Sequence, residues 1–522
     1  MRTYWQTNQR NFSLLFFVLM LLTLSLSCNR NKLKTNEKAL TEKIRSEEEQ
    51  LAYEADLQNE NEKQLADSLA KLPKGFRFKE DRGIDPNHPP VVIDIATSLK
   101  NIKKFSLSDV ATSVEYIRME SVPDSTLPTN MKYKYYLMDN NIVATNLYGI
   151  QLFSKNGKYI RTIVKNQMSG ISYDEKKDIV HYLWSDYMKI GGGTTIWARG
   201  NDLFYLYQNS NTGQLYIMEY DCSNKSSISN LQFDPENPKK IMGAGKVSVD
   251  LNYGHTPIPL QKRSNGAMGM SASSLYAQMD IFAPDRNMTV QATWGKHMML
   301  LRNTRGDTLA AFTKHEQVKN YTKQVARGTD VGSRYEKNGN MFYRTDFNDT
   351  VFQIIPPNRL LPVYVYHLGD YKLTKLQGMD PGFNLDGKII PQNFADTKDY
   401  LFLTFDKDSY DCPNTRTNKS LKLYHAIFSK KDKQLYIVQG DPTDYDAPIL
   451  KNDIDGGMYV WPDEMMIGKN GEIIISLNGA EIKAHVKSSF FNQSKAPNDK
   501  KDKLRQLAES VRNNEQILMV VK

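Results

Sequence analysis

"YGIQLFSKNGKYIRTIV", residues 148–164, decides the fold. Two runs rich in Ile, Leu, Phe, Tyr and Val flank Asn156-Gly157. That pair, set between strand-like runs, is the strongest short-range hairpin signal a sequence carries. The plan recurs down the chain. "LFYLYQNSNTGQLYIMEY" turns around Gly213, "MMLLRNTRGDTLAAF" around Gly306 and "YRTDFNDTVFQII" at Asn348. "LYHAIFSKKDKQLYIV" turns at Asp432 and "MMIGKNGEIIISL" at Gly471. Hairpins repeating every 40 to 90 residues, roughly, predict an all-β fold, a β-propeller of six or seven four-stranded blades. Another large all-β fold, such as paired sandwiches, is the alternative. The terminal "QILMVVK" is expected to pair with the first blade and close the ring, which removes an exposed sheet edge.

Two stretches depart from the hairpin texture. Residues 237–280 are rich in Gly, Pro, Ser and Met and read as a long insertion with a short helix near 271–279. Residues 495–513 place Leu504, Leu507 and Val511 on one helical face.

Upstream of residue 91 the texture is different. Arg2 and Arg10 precede an apolar run at residues 12–26, too short for a spanning helix, and it ends "LSLSC" at Cys28. A cysteine in that position resembles a bacterial lipobox, which implies a signal over residues 1–27 and an acylated Cys28. A plain cleaved signal and an uncleaved anchor are the alternatives. Residues 35–72 lack Gly and Pro, and Leu40, Ile44, Leu51, Leu65, Leu69 and Leu72 form a thin helical stripe. The expectation is a helical stalk, ended by Pro73 and Gly75 and joined through "GIDPNHPP" (83–90) to a propeller over 91–522. No acidic cluster follows Cys28, which favours a periplasm-facing anchor. Export makes nucleic acid an implausible partner for the net charge of +9, whose basic residues look scattered. Cys222 and Cys412 remain after Cys28, and their pairing stays open.

Four stretches together resemble a family: "LSDVATSVEYIRME" (107–120), "GIQLFSKNGKYIRTI" (149–163), "NGNMFYRTDFNDTVFQI" (338–354) and "NDIDGGMYVWP" (452–462). The chain resembles the six-bladed β-propeller lipoproteins of Bacteroidetes, a family of unknown function. The resemblance covers about residues 91–522 and implies a lipid-anchored envelope propeller. It departs at "VKNQMSGISYDE" (164–175), where the family often carries a glycine-rich turn. No catalytic residue is implied by it.

Patterns for known chemistry are absent or broken. There is no H-E-x-x-H and no P-loop; "GAGKVS" at Gly243 lacks a strand before it and the last glycine. "GMSAS" at Gly269 lacks the closing glycine of a nucleophile elbow. No metal or cofactor is expected. Two loops remain. In "NDIDGGMYVWP", Asp453 and Asp455 share a face of an extended segment and could bind Ca²⁺ or act as an acid–base pair. The spacing fails the EF-hand pattern, and Gly456-Gly457 supplies a turn more simply, with Trp461 packing between blades. A structural turn is the first expectation and a ligand-binding loop the second. In residues 326–350, Arg327, Arg334, Tyr335, Arg344, Asp346 and Asp349 cluster; solvated hairpin charges are the first expectation, and Arg334, Tyr335 and Arg344 as a carboxylate or sugar site the second. The expected function is a non-enzymatic ligand-binding or scaffold module for glycan or peptide. A hydrolase or lyase with acids at the channel mouth, and a structural subunit of an envelope complex, are the alternatives.

Overall fold

The computed structural model describes residues 64–65, 67–69, 71–122, 133–146, 149–165, 333–337, 340–345, 347–379, 383–408, 422–440, 449–462, 467–468 and 470–522. Between 168 and 314 it describes 168–174, 179–184, 189–190, 196–199, 201–208, 215–223, 232–233, 241–242, 245–250, 261–262, 268–269, 281–285, 288–292, 297–303 and 307–314. The signal, Cys28, most of the expected stalk, Cys412 and residues 271–279 lie outside these. The chain divides into two units, Met1–Leu72 and Pro73–Lys522. In the first, residues 64–65 and 67–69 are helical.

The second unit is mostly β and propeller-like. Six sheets of three or more strands follow one another among its described residues. The first is Lys134–Leu137, Asn141–Asn146, Gly149–Ser154 and Tyr159–Lys165, all antiparallel. The second is built on Asp202–Gln208 and Leu215–Asp221, and the third runs from Ile281–Asp285 to Thr308–Thr313. The fourth holds Ser333–Lys337, Asn340–Arg344, Thr350–Ile355 and Arg359–His367. The fifth holds Ile389–Asp396, Tyr400–Lys407, Leu423–Ser429 and Gln434–Val438. The closing sheet is Ile473–Asn478, Gln516–Val521 and Val114–Arg118.

Five of the expected hairpins form paired strands, and the sixth, around Gly471, forms Ile473–Asn478 with a single bridge, Ile467 to Ile473. The opening stretch does so because Gly157 takes φ +80°, which a residue with a Cβ rarely adopts. One part of the chain read as insertion is sheet instead. Gly245–Asp250 pairs with Leu215–Asp221. Its Lys-Val-Ser-Val alternation was masked by the glycines on either side.

Alternate residues of a strand face opposite sides, so a strand buried on both sides reads as a continuous apolar run. Gln516–Val521 behaves this way. Ile517, Met519 and Val521 enter a core shared with Phe402 and Ile427 of the fifth sheet. Leu518 and Val520 enter a core shared with Ile142, Ala144 and Phe153 of the first sheet. The fifth sheet repeats this on its other side. Leu401, Leu403 and Phe428 pack with Ile93, Val351 and Tyr366 of the fourth. Each fully buried Leu, Ile or Val contributes about 1.5–3 kcal/mol. The sheets are therefore held face to face by apolar contact.

Their outer edges are held by something else. The segment 78–120 runs from sheet to sheet. Phe78 N–H donates to Leu309 O of the third sheet at 2.7 Å. Asp81 exchanges backbone bonds with Asn358 and Leu360, and Val91–Asp94 adds a parallel strand to Arg359–His367 of the fourth. Ile102–Lys103 adds a parallel strand to Gln434–Val438 of the fifth. Val114–Arg118 completes the closing sheet against Gln516–Val521, as expected for the C-terminal run. Glu120 N–H then donates to Gly157 O in the first. Residues 73–90 thus belong to the compact unit; the bonds to the sheets come from Phe78 and Asp81, just before the expected linker, while within the linker Gly83 O accepts from Arg359 Nη2 at 3.3 Å.

The Gly157 turn meets this strap closely. A Cβ on Gly157 would lie 2.1 Å from Arg118 O. Gly157→Ala is expected to destabilise the unit by about 1–3 kcal/mol through the strained φ and the backbone clash together. Urea unfolding of the variant checks this; an unchanged midpoint would contradict the packing.

Candidate functional site

The loop of residues 450–460 is a closed structural element. Leu450 and Val460 pair as an antiparallel bridge at its neck. Asn452 Oδ1 accepts the N–H groups of Ile454 and Asp455 at 3.2 Å, and Asp455 Oδ1 accepts that of Gly457 at 2.8 Å. Short polar side chains bonding nearby backbone in this way make a turn without a ladder. Gly456 takes φ +77°, and its carbonyl accepts from His485 Nε2 at 2.8 Å. Gly457 is needed for space: a Cβ there would lie 2.1 Å from Tyr116 Oη.

The two acids diverge. Asp453 reaches the strap, where its carboxylate accepts Ser108 N–H at 2.9 Å and Ser108 Oγ–H at 2.6 Å. Asp455 is buried and turns toward Tyr116, whose phenol is pushed well up by burial and then by that carboxylate. The two carboxylates thus have separate partners and act as two separate clamps. Extended alternation would have put them on one face, but the Asn452 turn breaks it. Trp461 packs edge-on against Phe402 at 5.4 Å and His425 at 4.7 Å. Burial pushes the His425 imidazole down to about 4.

Arg344 is likewise engaged within the protein. It is 1% exposed, and its guanidinium donates to Gln392 O at 2.7 Å and Pro391 O at 3.3 Å of the neighbouring sheet. A charged residue in a polar hairpin looks solvated in sequence, yet this one is the end of a core-facing strand. Arg334 lies on the strand Ser333–Lys337 opposite Tyr343, and its side chain is outside the described residues. Cys222 is buried, and its carbonyl accepts from Asn141 Nδ2 at 3.1 Å.

Tyr335 leads to a constellation that sequence analysis missed. Its hydroxyl donates to Asp396 Oδ2 at 2.9 Å, and that of Tyr364 donates to the same oxygen at 3.0 Å. Lys337 Nζ donates to Asp396 Oδ1 at 2.5 Å, and Lys430 Nζ donates to it as well. Both ammonium groups also reach Thr397 O. Asp396 is the last residue of Ile389–Asp396 in the fifth sheet, while Tyr335, Lys337 and Tyr364 come from the fourth. The cluster therefore joins two sheets by charge at a point where their apolar faces end. Burial alone would raise the Asp396 carboxyl, but Lys430 and Lys337 outweigh it and hold it below the usual range. Burial pushes Lys430 down to about 8 against the pull of Asp396. Burial, then Asp396, raises both phenols. All five groups satisfy one another, so the cluster as it stands is a clasp. Among the described residues, no group of three or more His, Cys, Asp or Glu could hold a metal ion.

A family model described as "Domain of unknown function (DUF4933)" matches residues 73–488. The chain belongs to this family. The DUF4933 match begins at the first residue of the compact unit and includes the strap, the 450–460 loop and the Asp396 clasp. No curated protein matches the sequence. Among solved structures, the chain is similar to a presumed exported protein from Bacteroides fragilis. That likeness has 10% identity and a TM-score of 0.43, covering 83% of this chain and 99% of that one. A DUF4221 family member from Bacteroides vulgatus aligns at 9% identity and TM-score 0.33, over 79% and 97%. A protein of unknown function from Bacteroides thetaiotaomicron aligns at 10% and 0.28, over 78% and 76%. Likenesses this weak carry no functional information.

Asp396→Asn leaves two ammonium groups facing a neutral amide. It is expected to cost about 3 kcal/mol, the lower end for breaking a buried pair, since both lysines keep some solvent contact. The sign with pH follows from the lowered carboxyl. Its stabilisation is full above its usual pKa of 3.8 and is lost as pH falls through the depressed folded value. Urea midpoints between pH 7 and pH 2.5 should fall less steeply in the variant. Equal slopes would contradict the clasp.

Proposed function

We propose that this DUF4933 protein is a six-bladed β-propeller of the bacterial cell envelope, held by an acylated Cys28 and working without catalysis. Its role is to bind a glycan or peptide, or to hold an envelope protein. Six successive sheets support the blade count, with the closing sheet built from both ends of the unit. The sequence before Cys28, a basic start and a short apolar run, supports the anchor.

One observation carries the non-catalytic role. The acids and the arginine best placed in sequence for chemistry are committed to backbone and neighbouring sheets: Asp453 to Ser108, Asp455 to Gly457 and Arg344 to Gln392. A general acid or base needs a side chain free to meet a substrate proton. A scaffold needs what these residues supply, which is fixed loops.

The test is thermal unfolding of residues 73–522 against a panel of envelope glycans and peptides, followed by product analysis of any ligand found. A ligand that binds only the folded state adds about 2.7 kcal/mol at a hundredfold over its Kd. The expected result is a shift with the ligand recovered intact. Time-dependent conversion of that ligand would overturn the non-catalytic role. In parallel, Cys28→Ala should abolish labelling by a fatty-acid probe; persistent labelling would overturn the anchor.

A further inference from the structure

Three short helices, Gly479–His485, Ser489–Gln493 and Asn498–Ser510, sit between two strands of the closing sheet. They add nothing to its ladder. Their inner side is fully used: Ile482, Phe491, Leu504 and Ala508 join the core beneath. Their outer side is chemically unusual. Residues 483–512 carry eight Lys or Arg against three Asp or Glu. That is a net +5 in 30 residues, more than half of the net +9 of the whole chain.

Half of these cations have internal work. Lys501 is buried and donates to Asn492 O and Ser494 O over the ring of Phe491. Arg505 pairs with Asp502, Lys483 bonds Asn513 and Arg512 bonds Ser121. The other four, Lys487, Lys495, Lys500 and Lys503, are exposed, and no acidic side chain among the described residues pairs with them. In the middle of the same segment Phe490 is 46% exposed, while its neighbour Phe491 is fully buried. The core beneath therefore has its aromatic residue already, and Phe490 is a second one turned outward.

Four ammonium groups without an acidic partner and an exposed aromatic ring on one segment of 17 residues are together complementary to an anionic surface with an apolar layer beneath it. We propose that this helical insertion docks on an anionic lipid surface, with Phe490 entering the headgroup layer and the four lysines neutralised by lipid phosphates. Lysine suits a diffuse layer of phosphates, because it is a flexible point charge and not a planar fork. Juxtaposed basic and aromatic residues are what an interfacial contact needs. A soluble polyanion would meet the charge but leave Phe490 in water. The inference rests on the envelope placement proposed above.

The experiment is amide hydrogen exchange of the full chain on two sets of vesicles: neutral phosphatidylcholine, and the same lipid with roughly a third phosphatidylglycerol. Any N-terminal anchor inserts in both, so only headgroup charge differs. Residues 487–503 should exchange several-fold more slowly on the anionic vesicles alone. The protection should vanish in about 0.5 M salt, where the screening length falls to a few ångströms. It should also vanish in the triple variant Lys487→Glu, Lys495→Glu, Lys503→Glu, whose unfolding midpoint should stay unchanged because all three side chains are exposed. Phe490→Ser should weaken it. Equal exchange on the two vesicles would overturn the docking while leaving envelope placement intact. Association with neither vesicle would overturn both.

Discussion

Every stacked sheet has to end somewhere, and an open outer edge exposes unpaired N–H and C=O groups that recruit other chains. The unit depends on how it covers those edges. Residues 78–120 pass the third, fourth, fifth, closing and first sheets in turn, bonding to each. Two of the added strands are parallel to the edges they cover, because the chain travels onward after each contact and does not fold back. The short helix Ile95–Ser98 makes the step from the fourth sheet to the fifth. Asp94 caps it through Thr97 N–H, and Ile95 is buried beneath it. The strap also fixes loops. Leu107 N–H donates to Lys451 O and Ser108 bonds Asp453, so the 450–460 loop is positioned by the N-terminal segment as well as by its own turn.

Apolar contact and charge divide the work between sheets. Alternating residues of Gln516–Val521 and Tyr400–Lys407 fill cores on both of their faces. Such contacts are non-directional and would tolerate a small slide of one sheet over the next. The Asp396 clasp does not, since three donors from the fourth sheet and one from a turn of the fifth converge on one carboxylate. Arg344 acts similarly by reaching the carbonyls of Pro391 and Gln392 across the same junction. Buried ion pairs contribute little net stability against apolar packing, but they are strongly directional.

The local part of this structure was legible in the sequence. Asn156-Gly157, Gly471 and the Asn452–Gly457 turn are short-range devices, and each needs only its own neighbours and a glycine with positive φ. The closing role of "ILMVVK" was legible because burial on both faces leaves an unbroken apolar run. The strap was not. Its strands are four and two residues long, they pair in parallel with partners more than 270 residues away, and no turn announces them. The clasp was hidden for the same reason: Lys337 and Asp396 are 59 residues apart, and each alone looks like a solvated turn residue. Arg334, Arg344 and Tyr335 looked like one site because they are close in sequence. The structure sends Tyr335 and Arg344 to different partners. The basic helical segment was present in plain sight, but which of its cations are left without a partner became visible only once Lys501 was seen to be buried and Arg505 to pair with Asp502.

Native-state hydrogen exchange along the strap tests the central claim most directly. The amides of Ile437 and Gln439, which donate to Asn101 O and Lys103 O, and those of Leu107 and Met119 report its closure on three successive contacts. If the strap holds the sheets together, these amides open only with the whole unit, at the same free energy as the core amides of Gln516–Val521. Exchange through a separate opening several kcal/mol cheaper, with the core amides unaffected, would show that the strap is a removable cover and that the stacked sheets stand without it.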